Sequence, residues 1–101
     1  MVRKFKITVI KKFSPEDVFG KKGFQFNSGD KDIICNLFEE GQEFTFEGVK
    51  KPEGFPCEWA WNDLFNDIMC LAFNAPYTAY TPCRDGKKPI VFKVERIAEE
   101  S

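Results

Sequence analysis

The stretch PCEWAWNDLFNDIMCLAF, from Pro56 to Phe73, decides the fold. At 100° per residue, Cys57, Trp61, Leu64, Ile68, Leu71 and Ala72 fall on one stripe, with Ala60 and Phe65 at its edges. This spacing predicts one long helix over about 57–73 whose apolar face covers a sheet, and Pro56 suits its first turn. Glu58, Asn62, Asp63, Asn66 and Asp67 make the opposite face polar, but Trp59, Cys70 and Phe73 share it. Large apolar groups seldom stay fully exposed without a reason, so these three residues form a candidate interaction surface. Either an intramolecular lid drawn from residues 13–32 or the seam of a homodimer would cover them.

The sheet beneath that helix is read from alternation. Phe5, Ile7 and Val9 alternate with Lys4, Lys6 and Thr8, the period of two of a strand with one wet face. Phe44 and Phe46 repeat the pattern against Glu43, Thr45 and Glu47. A final strand is expected over Ile90–Ile97, with Ile90, Phe92 and Val94 inward, and a short strand or extended segment over Tyr77–Thr81. Ile33, Ile34, Cys35, Leu37 and Phe38 read as one more short, buried strand. Ser14-Pro15-Glu16-Asp17 is a helix start, with Ser14 as cap and Pro15 at the first helical position, and Gly20 and Gly23 end that helix near residue 20. Residues 23–32 and 48–56 read as connections, and Asp85-Gly86 as a turn. The expected fold class is therefore α+β: a small, mainly antiparallel sheet of about four strands, one long helix and a short helix near 15–20.

At 101 residues the chain fits one domain, 1–101, without internal repeat or linker, and 43% hydrophobic residues with twelve Phe suffice for one core. No apolar run approaches the ~20 residues of a bilayer crossing, and the amino terminus runs basic and then alternating. The expectation is a cytoplasmic protein that does not enter membranes. Charge is uneven: residues 1–29 hold seven Lys and Arg against two acids, and residues 30–67 hold ten acids against three bases. That asymmetry can orient a partner, yet a net charge of −1 without a basic, aromatic-laced stripe argues against nucleic acid.

Four segments carry a resemblance: F-S-P-E-D-V-F-G from Phe13, F-E-E-G-Q-E-F from Phe38, P-E-G-F-P-C-E-W-A-W from Pro52, and C-R-D-G-K-K-P-I-V-F-K-V-E-R from Cys83. Together they span most of the chain, and the pattern resembles a family of small uncharacterised bacterial and archaeal proteins of about this length. The resemblance implies a Cys before F-E-E-G-Q-E-F, one at the start of the W-A-W helix and often a Cys pair before the D-G turn. The counterparts here are Cys35, Cys57 and Cys83, and the departure is Pro82-Cys83 in place of the pair. No activity, substrate or cofactor comes with the resemblance.

Chemistry must be sought in the residues themselves. The chain has no His, which excludes Ser-His-Asp and Cys-His catalysis and His-ligated metals. No glycine-rich phosphate loop follows a strand, and the adjacent acids Glu39-Glu40 and Glu99-Glu100 read as solvated. The four cysteines, separated by 22, 13 and 13 residues, contain no C-x2-C knuckle, so no metal site is expected. Without a secretion signal, structural disulfides are not expected either. Reactive thiols are the remaining reading, with Cys57 first, Cys35 and Cys83 as partners, and simple burial as the competing account. Unpaired amides at a helix amino terminus favour a thiolate, whereas an apolar surrounding disfavours it. Trp59 and Trp61, offset by two on a helix, face apart and cannot clamp one ligand. Two function classes follow: a non-enzymatic binding or interaction module using the Trp59 and Phe73 surface or a cleft between helix and sheet, and a thiol-dependent or redox protein using Cys57. Neither specifies a cofactor, a ligand or a reaction.

Overall fold

The computed structural model describes residues 3–20, 34–73, 78–85 and 88–97. Their elements run β1 (Lys4–Lys12), α1 (Pro15–Phe19), β2 (Glu43–Glu47), α2 (Glu58–Ala72), β3 (Ala79–Pro82) and β4 (Ile90–Arg96). All strand pairs are antiparallel, in the order β2-β1-β4-β3, and α2 packs on one face of the sheet. This is the α+β arrangement that the alternation and the long apolar stripe predict.

The alternation works as the pleat requires. Phe5, Ile7 and Val9 of β1 and Ile90, Phe92 and Val94 of β4 are all buried on the face under α2. Ala60, Leu64, Ile68 and Leu71 meet them from the helix, each almost wholly removed from water. The opposite face of the sheet is charged: Lys6 lies between Glu43 and Glu95, at 3.3 and 3.6 Å, and Lys4 pairs with Glu47 at 3.8 Å. The lysines of the amino-terminal strand thus sit opposite acids on both neighbouring strands, an arrangement that fixes which strands lie side by side.

Phe supplies much of the remaining core. Phe38 lies 5.1 Å from Phe92 and 5.4 Å from Phe55, ring centre to ring centre, and Phe46 bridges Phe5 and Trp61 at 5.3 and 5.6 Å. These rings fill the end of the sheet where α2 begins. Trp61 is half-buried among Phe46, Phe55 and Phe65, while Trp59 stands 67% exposed, so the two indoles do face apart.

Four boundaries differ from expectation, and each has a physical cause. Residues 34–38 do not form a strand: Phe38 turns into the core, whereas Ile34 and Leu37 are exposed and Cys35 is half-buried. Without a partner strand, a run this short has no ladder to join, and its one large core residue anchors it instead. Residue 33 of that expected strand, and the connection at 23–32, lie outside the described residues. Cys57 stays half-buried against the core but stands just outside α2 as its cap, in an extended conformation (φ −135°), and its Sγ accepts the Ala60 N–H at 3.4 Å. Phe73 is likewise the cap at the other end, 77% exposed. The third strand begins at Ala79, two residues later than expected, and Tyr77 lies outside the described residues.

The short helix follows its signals closely. Ser14 Oγ accepts the Asp17 N–H at 3.1 Å and Asp17 Oδ2 accepts the Ser14 N–H at 2.9 Å, a reciprocal capping box. Gly20, at φ +77°, ends it by donating its N–H to the Glu16 carbonyl at 2.8 Å. Of the lid suggested for residues 13–32, only residues 13–20 are described, and Trp59 and Phe73 are exposed.

Candidate functional site

Three segments meet at the amino end of α2. The first, residues 34–38, is pinned by the burial of Phe38 and by the Lys12 ammonium, which donates to the Phe38 carbonyl at 2.8 Å. The second is the first turn of α2, presented by a tight turn in which the Phe55 N–H reaches the Pro52 carbonyl at 3.2 Å. Phe55 itself is core, so the helix start is fixed from below.

The third segment, residues 83–85 and 88–90 between β3 and β4, is held by α2 through residue 84. Asp63, on the polar side of the helix, accepts the Arg84 backbone N–H at 2.6 Å and its Nε at 3.3 Å. One turn further on, Asp67 accepts the Thr81 hydroxyl. Asp85 then organises its own turn, accepting the Lys88 N–H at 3.1 Å through Oδ1 and the Lys88 ammonium at 2.7 Å through Oδ2. Two acids of the polar helix face thus act as struts, Asp63 to this segment and Asp67 to β3 just before it.

Between the three segments lies a cavity of about 400 Å³. Cys35, Cys57 and Cys83, one from each segment, all line it, with Ile34, Leu37, Phe38, Trp59, Ala60 and Ile90 as apolar walls and Arg84, Asp85 and Lys88 on one side. All three thiols are free and half-buried. Cys70 is also free but is not part of the lining. Among the described residues no set of three Cys, Asp or Glu side chains gathers closely enough to hold a metal ion, so the thiols share a cavity without forming a coordination shell.

Backbone amides face two of these sulfurs. Cys57 Sγ accepts from Ala60, as above, and Cys83 Sγ accepts from the Ile90 N–H at 3.4 Å. Lys88 is the charge beside them. Its hydrogen bond to Asp85 holds the ammonium above the usual lysine range against partial desolvation, and the charge of Asp85 and the proximity of Cys35 and Cys83 act in the same direction. Such a group stays cationic at neutral pH and offers N–H donors into an otherwise apolar space.

The candidate interaction residues are distributed differently. Trp59 forms part of the cavity wall in the first turn of α2, whereas Phe73 closes the helix about 21 Å away along its axis. Cys70 is half-buried near that far end. Sequence reading singled out all three cavity thiols but had no signal for their meeting, nor for Lys88, Asp85 or Asp63. Among the described residues no helix is long and apolar enough to cross a membrane. No family model, curated protein or solved structure matches the chain.

Proposed function

We propose that the chain is a small binding module, not an enzyme, whose cavity at the amino end of α2 receives an apolar small molecule. The single observation behind this reading is the cavity of about 400 Å³, walled by apolar side chains from three separate segments and rimmed by an exposed Trp59. That size lies within the range of about 300–1,000 Å³ typical of small-molecule sites, and a few polar groups in an apolar lining are their usual composition. The motif pattern the chain resembles carries Cys at each of the three positions that meet here. We place the protein in the cytoplasm, where thiols of this kind stay reduced.

The test is a panel of uncharged aromatic fragments observed by NMR. Binders are expected to shift the Trp59 indole resonance and to lose affinity when Leu37, an exposed residue of the cavity wall, is replaced in Leu37→Lys. A panel without binders, or binders indifferent to that charge, removes the reading.

A second reading, thiol-dependent or redox chemistry with Cys57 and either Cys35 or Cys83 as resolving partner, is favoured by the meeting of those thiols in one cavity. It requires native Cys57 to react with iodoacetamide faster than Cys70 between pH 6 and 8; equal rates count against it.

A further inference from the structure

We propose that the cavity takes an apolar α,β-unsaturated carbonyl compound and retains it covalently on Cys83, with Lys88 donating a hydrogen bond to the carbonyl oxygen. The inference rests on the binding reading above and adds the chemical class of the ligand.

Apolar walls alone would accept any greasy molecule of suitable size. The polar side of the cavity narrows the choice. A lone cation there would call for an anion, but Asp85 already neutralises Lys88 at 2.7 Å, and a ligand carboxylate would have to face that acid at close range. A neutral carbonyl oxygen instead accepts one of the remaining ammonium hydrogens and leaves the ion pair intact. Neutral, apolar and carbonyl-bearing is therefore the electrostatic match.

The thiols specify the rest. A thiolate is a soft nucleophile, and the carbon that it attacks most readily in a neutral carbonyl compound is the β-carbon of a conjugated double bond. Cys83 combines two features not found together at the other thiols: its sulfur accepts the Ile90 N–H, and it lies within electrostatic reach of Lys88. Among the described residues, Cys57 has the amide without the neighbouring ammonium, and Cys35 has the ammonium without a backbone donor.

The step balances without oxidant or reductant. A lone pair on Cys83 Sγ forms the C–S bond at the β-carbon, the C=C π pair moves onto the carbonyl oxygen as an enolate, and Lys88 supplies its proton. The enolate returns to the ketone with that proton on the α-carbon, and the proton lost by the thiol restores the ammonium. The net change is addition of S–H across the double bond.

Full-length protein is treated with benzylideneacetone and, in parallel, with benzylacetone, its saturated counterpart. Both are expected to shift the Trp59 indole resonance; only the unsaturated ketone should add the mass of one probe molecule, mapped to Cys83. At saturating benzylideneacetone, Lys88→Met should slow that addition by about tenfold or more, and Lys88→Arg should keep most of the rate. If benzylacetone does not bind while other uncharged aromatic fragments do, the carbonyl ligand is overturned and the binding reading stands; if none of them binds, both fall. If benzylacetone binds but Cys70 is labelled as fast as Cys83, or Lys88→Met reacts at the unaltered rate, the covalent chemistry is overturned and the binding reading stands.

Discussion

Cys83 and Ile90 bond to each other twice: the Cys83 N–H reaches the Ile90 carbonyl at 3.0 Å, and the Ile90 N–H reaches Cys83 Sγ at 3.4 Å. The sulfur thus closes the last rung of the β3–β4 ladder, where a backbone carbonyl would ordinarily stand. Ile90 is 1% exposed, so water cannot take over if the sulfur is removed.

Replacing the thiol therefore has an ordered outcome. Cys83→Ala should destabilise the protein by about 1 kcal/mol, the net worth of one hydrogen bond whose donor is left buried. Cys83→Ser, which keeps an acceptor, should fall between the two. Urea unfolding followed by fluorescence measures both, and an alanine variant as stable as the native protein would mean that the amide has no need of the sulfur.

Asp63 fastens the same segment from the helix side through two bonds to Arg84. Its side chain is 17% exposed, and that of Arg84 is 49%, so the guanidinium bond is partly screened and the bond to the backbone amide dominates. Asp63→Ala should cost about 1 kcal/mol and, more tellingly, raise the rate at which Cys83 is alkylated as the segment loosens. Cys57 alkylation should not change, because the Ala60 bond that orients it is untouched.

The carboxyl end of α2 is served by a different strand. Arg96 Nη1 donates to the Leu71 carbonyl at 2.7 Å, placing a cation in the last turn of α2, where the helix dipole favours one. Arg96→Leu should lower stability by about 2 kcal/mol. Amide exchange in the last turn of α2 should quicken more than exchange in its first turn, and uniform quickening would point to global unfolding instead.

These contacts show what was legible in the sequence and what was not. Period-two alternation in Phe5-Ile7-Val9 and Ile90-Phe92-Val94, and the 3.6-residue stripe through Leu64, Ile68 and Leu71, report burial directly, and all nine residues are core. Ser14 and Asp17 announce α1 because the capping box is local, spanning four residues. Cys57 packs against the core as the stripe implies, but its capping role carries no sequence signal, because cysteine is not among the residues that ordinarily cap helices. The run from residue 33 to Phe38 misled for the reason that any short apolar run does: apolarity without alternation does not distinguish a strand from a loop anchored by one side chain. The site itself had no sequence signal. Cys35, Cys57 and Cys83 come together only because β3 and β4 return beneath α2 and Asp63 draws the 83–85 segment against it, a relation through space that spacing along the chain does not encode.

Asp17 governs acid behaviour at the other end of β1. Bonding from the Ser14 backbone and hydroxyl side holds its carboxyl below the usual value of 3.8. A depressed carboxylate contributes stability that is present above the unfolded value and lost as pH falls through the folded one. The Ser14 amide resonance should therefore titrate with a midpoint below 3.8, and in Asp17→Asn that acid transition should vanish.

Lys88 supplies the opposite limb. Its ammonium is raised above 10.5, first by the hydrogen bond to Asp85, so the folded state holds the proton more tightly than the unfolded chain. The stabilisation is complete below 10.5 and disappears as pH climbs through the folded value. Asp85→Asn removes both the charge and the strongest acceptor, and should bring the titration of the Lys88 side-chain carbons back toward 10.5. The same substitution strips the neutralising acid from the cavity and leaves the ammonium free to take a ligand carboxylate. An aromatic carboxylate that native protein ignores should then bind and shift the Trp59 resonance. If it binds native protein equally well, Asp85 is not what holds anions out.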